Sequence, residues 1–265
     1  MTYLDKILAA HRAADAERPL GDLDAAIAEA RSMPPTRGFR DALRAAATGD
    51  DVAVIAEIKR RSPSKGDLAP GLDPVAVARA YEQGGAACLS VLTDVEFFGG
   101  SVGDLQAARA AVDLPVLRKD FTISRRDVVD TRLMGADCVL LIAAALDDTE
   151  LRDLHSLATD IGLDVLVEIH DEVELERAIA AEADLVGVNQ RDLISFAVDT
   201  ERAVRVAGQL PAGVVRVAES GIKGPDDAAV LRAAGYHGLL VGETLVTSGD
   251  PAAAVRSLRS PIHPG

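Results

Sequence analysis

Several charged residues stand at the C-terminal ends of short apolar runs, where a charge is costly unless it is paired or used. Glu57 and Lys59 close VAVIAEIK (52–59), Lys119 closes PVLRK (115–119), and Glu168 stands near the end of DVLVEI (164–169). Glu57 and Lys59 lie two apart and so share one face of an extended chain. Lysines and carboxylates facing one space shift each other's pKa values and can serve as acid and base. Such a set suits proton transfer to a carbonyl or hydroxyl oxygen. Structural ion pairs at a rim are the competing reading of the same residues.

Other runs end in polar or glycine-rich turns. Asn189 closes LVGVN (185–189) and is followed by Gln190 and Arg191. Glu219, Ser220 and Gly221 end the next run, and Gly242-Glu243 ends the last. Paired glycine turns offer backbone N–H groups to a phosphate, or are ordinary connections. The loop RRSPSKGDLAPGLDP after the first run is long and rich in Pro, Gly and Ser. It reads as a lid in which Ser62 and Lys65 hold an anion, or as a solvated basic loop. His170 follows Glu168 by two and could face the same space, but no second histidine stands at metal-ligand spacing, so no metal is expected. His11, His155, His237 and His263 read as surface or helix positions. No dinucleotide fingerprint follows any run.

The elements that must position these residues alternate. Apolar runs of strand length occur at 52–59, 88–92, 115–119, 138–143, 164–169, 185–189, 215–220 and 238–242. Helix-period segments lie between them, among them Pro74–Gln83, Val102–Ala111, Asp147–Ile161, Glu172–Ala181 and Pro225–Ala234. The alternation predicts right-handed βαβ units and a parallel sheet. A doubly wound open sheet has the same pattern, but eight strands of similar length favour a closed (β/α)8 TIM barrel. In such a barrel the strand C-termini form the mouth where chemistry occurs. Gly84, Gly135 and Gly235 are expected at helix ends that need positive φ. Residues 1–50 read as an N-terminal helical extension of one domain over 1–265, with helices from Leu4, after Asp22 and over Phe39–Ala47.

Composition narrows the partners. A net charge of −14 argues against nucleic acid. No apolar run approaches membrane-span length, and the charged N-terminus lacks a signal-peptide core, so a cytoplasmic location is expected. Cys88 and Cys138 lie in apolar runs and read as buried reduced thiols, a disulfide being the minority reading. A monomer is the expectation for assembly, an oligomer the alternative.

The motifs themselves resemble the indole-3-glycerol phosphate synthase family over nearly the whole chain. They are PPTRGFRDAL, VIAEIKRRSPSKG, SVLTDVEFFGGS, LPVLRKDF, GADCVLLIAA, LVEIHD, GVNQRDL, VAESGI and LLVGETL. The resemblance implies a decarboxylating ring closure of carboxyphenylamino-deoxyribulose phosphate, then dehydration to indole-3-glycerol phosphate. It implies Lys119 as the acid that protonates the ketone oxygen, Glu168 as the acid or base in dehydration, and Glu57 and Lys59 as the family's pair on the first strand. Lys59 would also meet the substrate's anionic groups, and Asn189 would orient it. Ser62 and Arg191 would hold the aromatic carboxylate. Phe98, Phe121, Leu140 and Leu193 would surround the ring. Ser220, Gly221, Gly242 and Glu243 would cradle the phosphate, and no cofactor is required. From the residues alone, three alternatives stay open: a sugar-phosphate isomerase, a Schiff-base aldolase using Lys119, and a silent ligand-binding barrel.

Overall fold

The computed structural model describes residues 2–19, 21–63 and 65–260. Ser64, within VIAEIKRRSPSKG, and His263 lie outside the described residues. The expected alternation is realised as a closed barrel of eight parallel strands in sequential order. They are β1 (Ala53–Ile58), β2 (Cys88–Leu92), β3 (Val116–Lys119), β4 (Cys138–Ile142), β5 (Asp164–Ile169), β6 (Leu185–Asn189), β7 (Val215–Glu219) and β8 (Gly238–Val241). Closure comes from β1, which pairs with β2 on one side and β8 on the other. The open doubly wound sheet is thereby excluded. Val, Ile, Leu and Ala fill these strands, which are buried on both faces as parallel sheets require.

Three helices precede the barrel: α1 (Tyr3–Glu17), α2 (Leu23–Ser32) and α3 (Phe39–Ala46). Asp22 caps α2 by accepting from Ala25 N, as its position suggested. The outer helices are α4 (Pro74–Gly84), α5 (Val102–Ala111), α6 (Arg125–Leu133), α7 (Asp148–Asp160), α8 (Glu172–Ala180), α9 (Arg202–Ala207), α10 (Pro225–Ala233), α11 (Glu243–Val246) and α12 (Pro251–Arg259). Gly135 and Gly235 have the expected positive φ. Gly84 does not: α4 runs through it, and Gly85 (φ +84°) is the left-handed residue. Gly84 instead lets α12 approach, since a Cβ there would lie 2.7 Å from Ala252 O.

The extension grips opposite ends of the barrel. Phe39 and Leu43 of α3 are fully buried beneath the strand N-termini, and the Arg37 guanidinium donates to Arg109, Val112 and Leu114 carbonyls. Asp137 ties this end together. It is wholly buried and accepts from Arg37 N and Val116 N at 2.9 Å and from the Arg109 guanidinium at 2.9 Å. Asp137→Ala strands all of these donors, and about 3–5 kcal/mol of stability should be lost. Urea unfolding at pH 7 checks this, and a loss under about 1 kcal/mol would contradict it. α1 crosses the other end, where Tyr3, Leu4 and Ile7 reach the mouth. Among the described residues, no helix is long and apolar enough to cross a membrane.

Candidate active site

The strand ends carry their charged side chains into one space. Lys119, the last residue of β3, places Nζ 2.7 Å from Glu168 Oε2 and 3.3 Å from Glu219 Oε2. Glu57 and Lys59, one face of β1 and its extension, pair at 2.5 Å. Asn189 ends β6 and donates to Glu168 Oε1 at 3.0 Å. Its own carbonyl oxygen accepts from Arg191 N, which fixes the amide's orientation.

Two glycines make room for this charge inside a barrel of branched side chains. A Cβ at Gly187 of β6 would collide with Glu219 Oε1, and one at Gly242 would collide with Glu57 Oε1. The resemblance places Gly242 in the phosphate cradle. Its missing side chain also seats the Glu57–Lys59 pair, because a Cβ would lie 3.0 Å from Lys59 Nζ. Enlarging Gly242 therefore perturbs the charged centre as well as any anion site.

The buried trio is electrostatically uneven. Burial disfavours the Lys119 ammonium, but Glu168, Glu219 and Glu57 outweigh it and hold the lysine protonated well above its ordinary value. Burial also pushes Glu168 up, yet Lys119, His170 and the Asn189 hydrogen bond together hold it low, at about 2. Glu219 goes the other way. Burial and repulsion from Glu168 overcome Lys119 and push it up to about 8. One lysine cannot neutralise two dry carboxylates, so the second keeps a proton.

Glu219 ends its run as Glu168 nearly does, yet sequence reasoning gave it no role. Protonated at neutral pH, it becomes an anion as the pH rises through about 8. Lys119 is then clamped by two carboxylates and becomes a weaker acid. We expect kcat/KM to fall on an alkaline limb near pH 8, and Glu219→Gln to lack that limb. An identical limb in wild type and Glu219→Gln would contradict this assignment.

These groups open into a cavity of about 590 Å³. Every residue expected from sequence to bind substrate lines it: Ser62, Phe98, Phe121, Leu140, Arg191, Leu193, Ser220, Gly221, Gly242 and Glu243. Phe98 and Phe121 rings lie 6.4 Å apart. The Arg191 guanidinium donates to Phe196 O. Ser220 and Gly221 have consecutive left-handed φ values of +66° and +73°. For a serine this is an uncommon conformation costing on the order of 1 kcal/mol, and such strain gathers at functional turns. Lys65 of the first loop lies 3.6 Å from Glu243 across the opening.

One histidine departs from the sequence reading, and another, on a helix as read, does more than that reading says. His11 is not a plain surface position: from α1 its Nε2 reaches Asp94 Oδ2 at 3.0 Å over the mouth, and its ring lies 5.6 Å from Phe121. Helical spacing within α1 could not show where that helix docks. His11, Asp94 and Asp120 are the one metal-like cluster among the described residues. Their oxygens are already committed, Asp120 to Arg118 and Thr93, Asp94 to the N–H groups of Phe97 and Phe98. His170 turns behind Glu168 and does not line the cavity.

Residues 3–258 match the family model for indole-3-glycerol phosphate synthase. The chain belongs to the indole-3-glycerol phosphate synthase family. A relative of that name from a Nocardioides species is 52% identical over 262 residues, spanning 97% of this chain and 98% of its own. Another from Hyphomonas neptunium is 47% identical over 256 residues, spanning 95% and 96%. Among solved structures, a 3-hexulose-6-phosphate synthase superposes with a TM-score of 0.64 at 17% identity, over 80% of this chain and all of its own. Thiamine phosphate pyrophosphorylase from Pyrococcus furiosus gives 0.58 at 16% identity, over 79% and 94%. These two likenesses speak for the barrel fold alone. The family resemblance carried by the motifs is borne out.

Proposed function

We propose that the mouth performs the reaction of its family with Lys119 as general acid and Glu168 as the group that completes dehydration. The chain is a carboxy-lyase of tryptophan biosynthesis, and its substrate is the phosphorylated carboxyphenylamino-deoxyribulose. The ring carbon bearing the carboxylate attacks the ketone carbon, forming the new carbon–carbon bond. Lys119 gives its proton to the ketone oxygen as charge develops there, an effect worth on the order of 10²–10⁴-fold. The cationic ring left by the attack accepts the electron pair of the breaking carboxylate bond, and carbon dioxide leaves. Glu168 then assists loss of the ring proton and the hydroxyl, so that water departs and the aromatic product remains.

The observation that carries this reading is the Lys119–Glu168 pair at 2.7 Å inside an otherwise apolar barrel. Lys59, paired with Glu57, faces the same cavity and supplies a second cation for the substrate's anions. Asn189 holds Glu168 and, through it, the reacting centre. Ser62 and Arg191 are assigned the aromatic carboxylate, and Phe98, Phe121, Leu140 and Leu193 the ring. Ser220, Gly221, Gly242 and Glu243 are assigned the phosphate through backbone N–H groups, at the corner of the barrel where phosphates usually bind. Two buried free thiols suit a reducing, cytoplasmic compartment.

The test is direct. Purified protein mixed with the carboxyphenylamino substrate should produce indole fluorescence and one carbon dioxide per product. Protein that binds the substrate without turnover would favour the silent barrel instead. The phosphate assignment has its own check. A side chain at Gly221 is strained at φ +73° and meets Val198 at 2.6 Å. Gly221→Val should therefore raise KM about 10-fold or more, a loss of roughly 1.4 kcal/mol in binding. An unchanged KM would remove Gly221 from the phosphate site.

A further inference from the structure

Behind Glu168 lies a second ionisable chain that the mechanism above does not use. His170 follows β5 directly, its side chain only 10% exposed. On one side, Nδ1 lies 3.0 Å from Glu174 Oε2, an oxygen that also accepts from the His170 backbone N–H at 2.7 Å. Glu174 belongs to the first turn of α8 and is itself held there, its N–H donating to the N-cap Asp171. On the other side, Nε2 has no hydrogen-bond partner among the described residues and lies 3.6 Å from Glu168 Oε1. That distance is just beyond a hydrogen bond. Each ring nitrogen thus meets a carboxylate, and only the imidazolium has a donor for both.

We propose that His170 is a positioning residue for Glu168: an imidazolium, held from behind by Glu174, that keeps the Glu168 carboxylate ionised and aimed at the mouth once Lys119 has given up its proton. The proposal deepens the reading of Glu168 given above and rests on it. In the resting site Lys119 is the nearer cation, on Glu168 Oε2. General-acid catalysis neutralises that lysine for part of the cycle, when a dry carboxylate left alone would take up a proton. His170 stands against the other oxygen, and closing a gap of a few tenths of an ångström completes a charge-assisted hydrogen bond.

The charges that face the ring agree. Burial pulls the imidazole down, but the Glu174 hydrogen bond and the Glu168 and Glu174 carboxylates outweigh it and raise it above its ordinary value. Arg202 of α9, whose guanidinium donates to Asn189 O, opposes them.

The test has two arms. In the first, the His170 ring protons are titrated by NMR in the wild type, Glu168→Gln and Glu174→Gln, with His170→Asn assigning the resonance. The His170 midpoint should lie above the ordinary value and drop by about one unit in each Gln variant. In the second, His170→Leu should lose kcat by about 10-fold with KM within about 3-fold, as for residues that orient a reacting group from behind. A midpoint indifferent to both Gln substitutions overturns the proposal. So does a folded His170→Leu enzyme with wild-type kcat. Should His170→Leu fail to fold, the NMR arm decides alone, because it leaves His170 in place. Full activity in Glu168→Gln would instead sink the role of Glu168, and the NMR coupling separates that failure from this one.

Discussion

Replacing Lys119 with alanine is expected to lower kcat by about 10²–10⁴-fold, the usual worth of a positioned acid, with KM changed by only a few-fold. The expectation rests on where the ammonium sits. It ends β3, within 3.3 Å of two buried carboxylates, and faces the cavity. Its removal leaves ionised Glu168 beside protonated Glu219 with no cation between them, a buried charge without its partner. The variant will therefore be less stable as well as slow, and activity must be compared well below its melting temperature. Lys119→Arg separates the two effects. Its guanidinium restores the charge and the ion pairs but hardly releases a proton. We expect Lys119→Arg to regain stability and to stay at least about 10²-fold slow. Steady-state kinetics by indole fluorescence, with thermal unfolding alongside, provides the check. A Lys119→Arg enzyme near wild-type kcat would mean that charge alone, not proton donation, is what the reaction takes from this residue.

Glu168→Gln is expected to fail later in the sequence. The amide keeps the shape of the side chain and still bonds Asn189, so substrate should bind with KM within about 3-fold. It cannot accept the ring proton, and kcat should fall by about 10²-fold or more. The consequence that distinguishes it from Lys119→Ala is chemical. In the proposed sequence ring closure and decarboxylation precede the step assigned to Glu168, so a ring-closed species still carrying its hydroxyl should accumulate. It is heavier than the product by one water and has already lost carbon dioxide. Rapid quenching followed by mass spectrometry detects it. Were the quenched enzyme to hold only unreacted substrate, Glu168 would belong to an earlier step.

Most of this site was legible because strand geometry is local. A period of two places Glu57 and Lys59 on one face without any knowledge of the rest of the molecule. A shared position at the ends of their runs brings Lys119, Glu168 and Asn189 to the same end of a parallel barrel. What was not legible depends on partners far away in the chain. Glu219 looks like any rim carboxylate until Gly187, on the neighbouring strand, is seen to clear the space it occupies. His11 lies on a helix whose periodicity reports a buried stripe but not which end of the barrel the helix crosses. The positive φ assigned to Gly84 belongs to Gly85 because α4 continues one residue further, against α12. α6 was not singled out because its stripe is thin: Asp127 and Arg132 are buried in it beside Val128 and Val129. Asp127 accepts locally from the Ile123 and Ser124 N–H groups, but its ion pair with Arg18 and the Arg132 bonds to the Ile161 and Pro34 carbonyls reach residues far away in sequence.

The division of labour between Lys119 and Glu168 is tested most directly by following carbon dioxide and indole together in a single turnover, with enzyme in excess over substrate. In the wild type both should appear, carbon dioxide no later than indole. Lys119→Ala should release neither on that timescale, whereas Glu168→Gln should release carbon dioxide in a burst with indole lagging far behind. If both variants stop at the same stage, or if Lys119→Ala frees carbon dioxide at the wild-type rate, the two groups do not act in the proposed order.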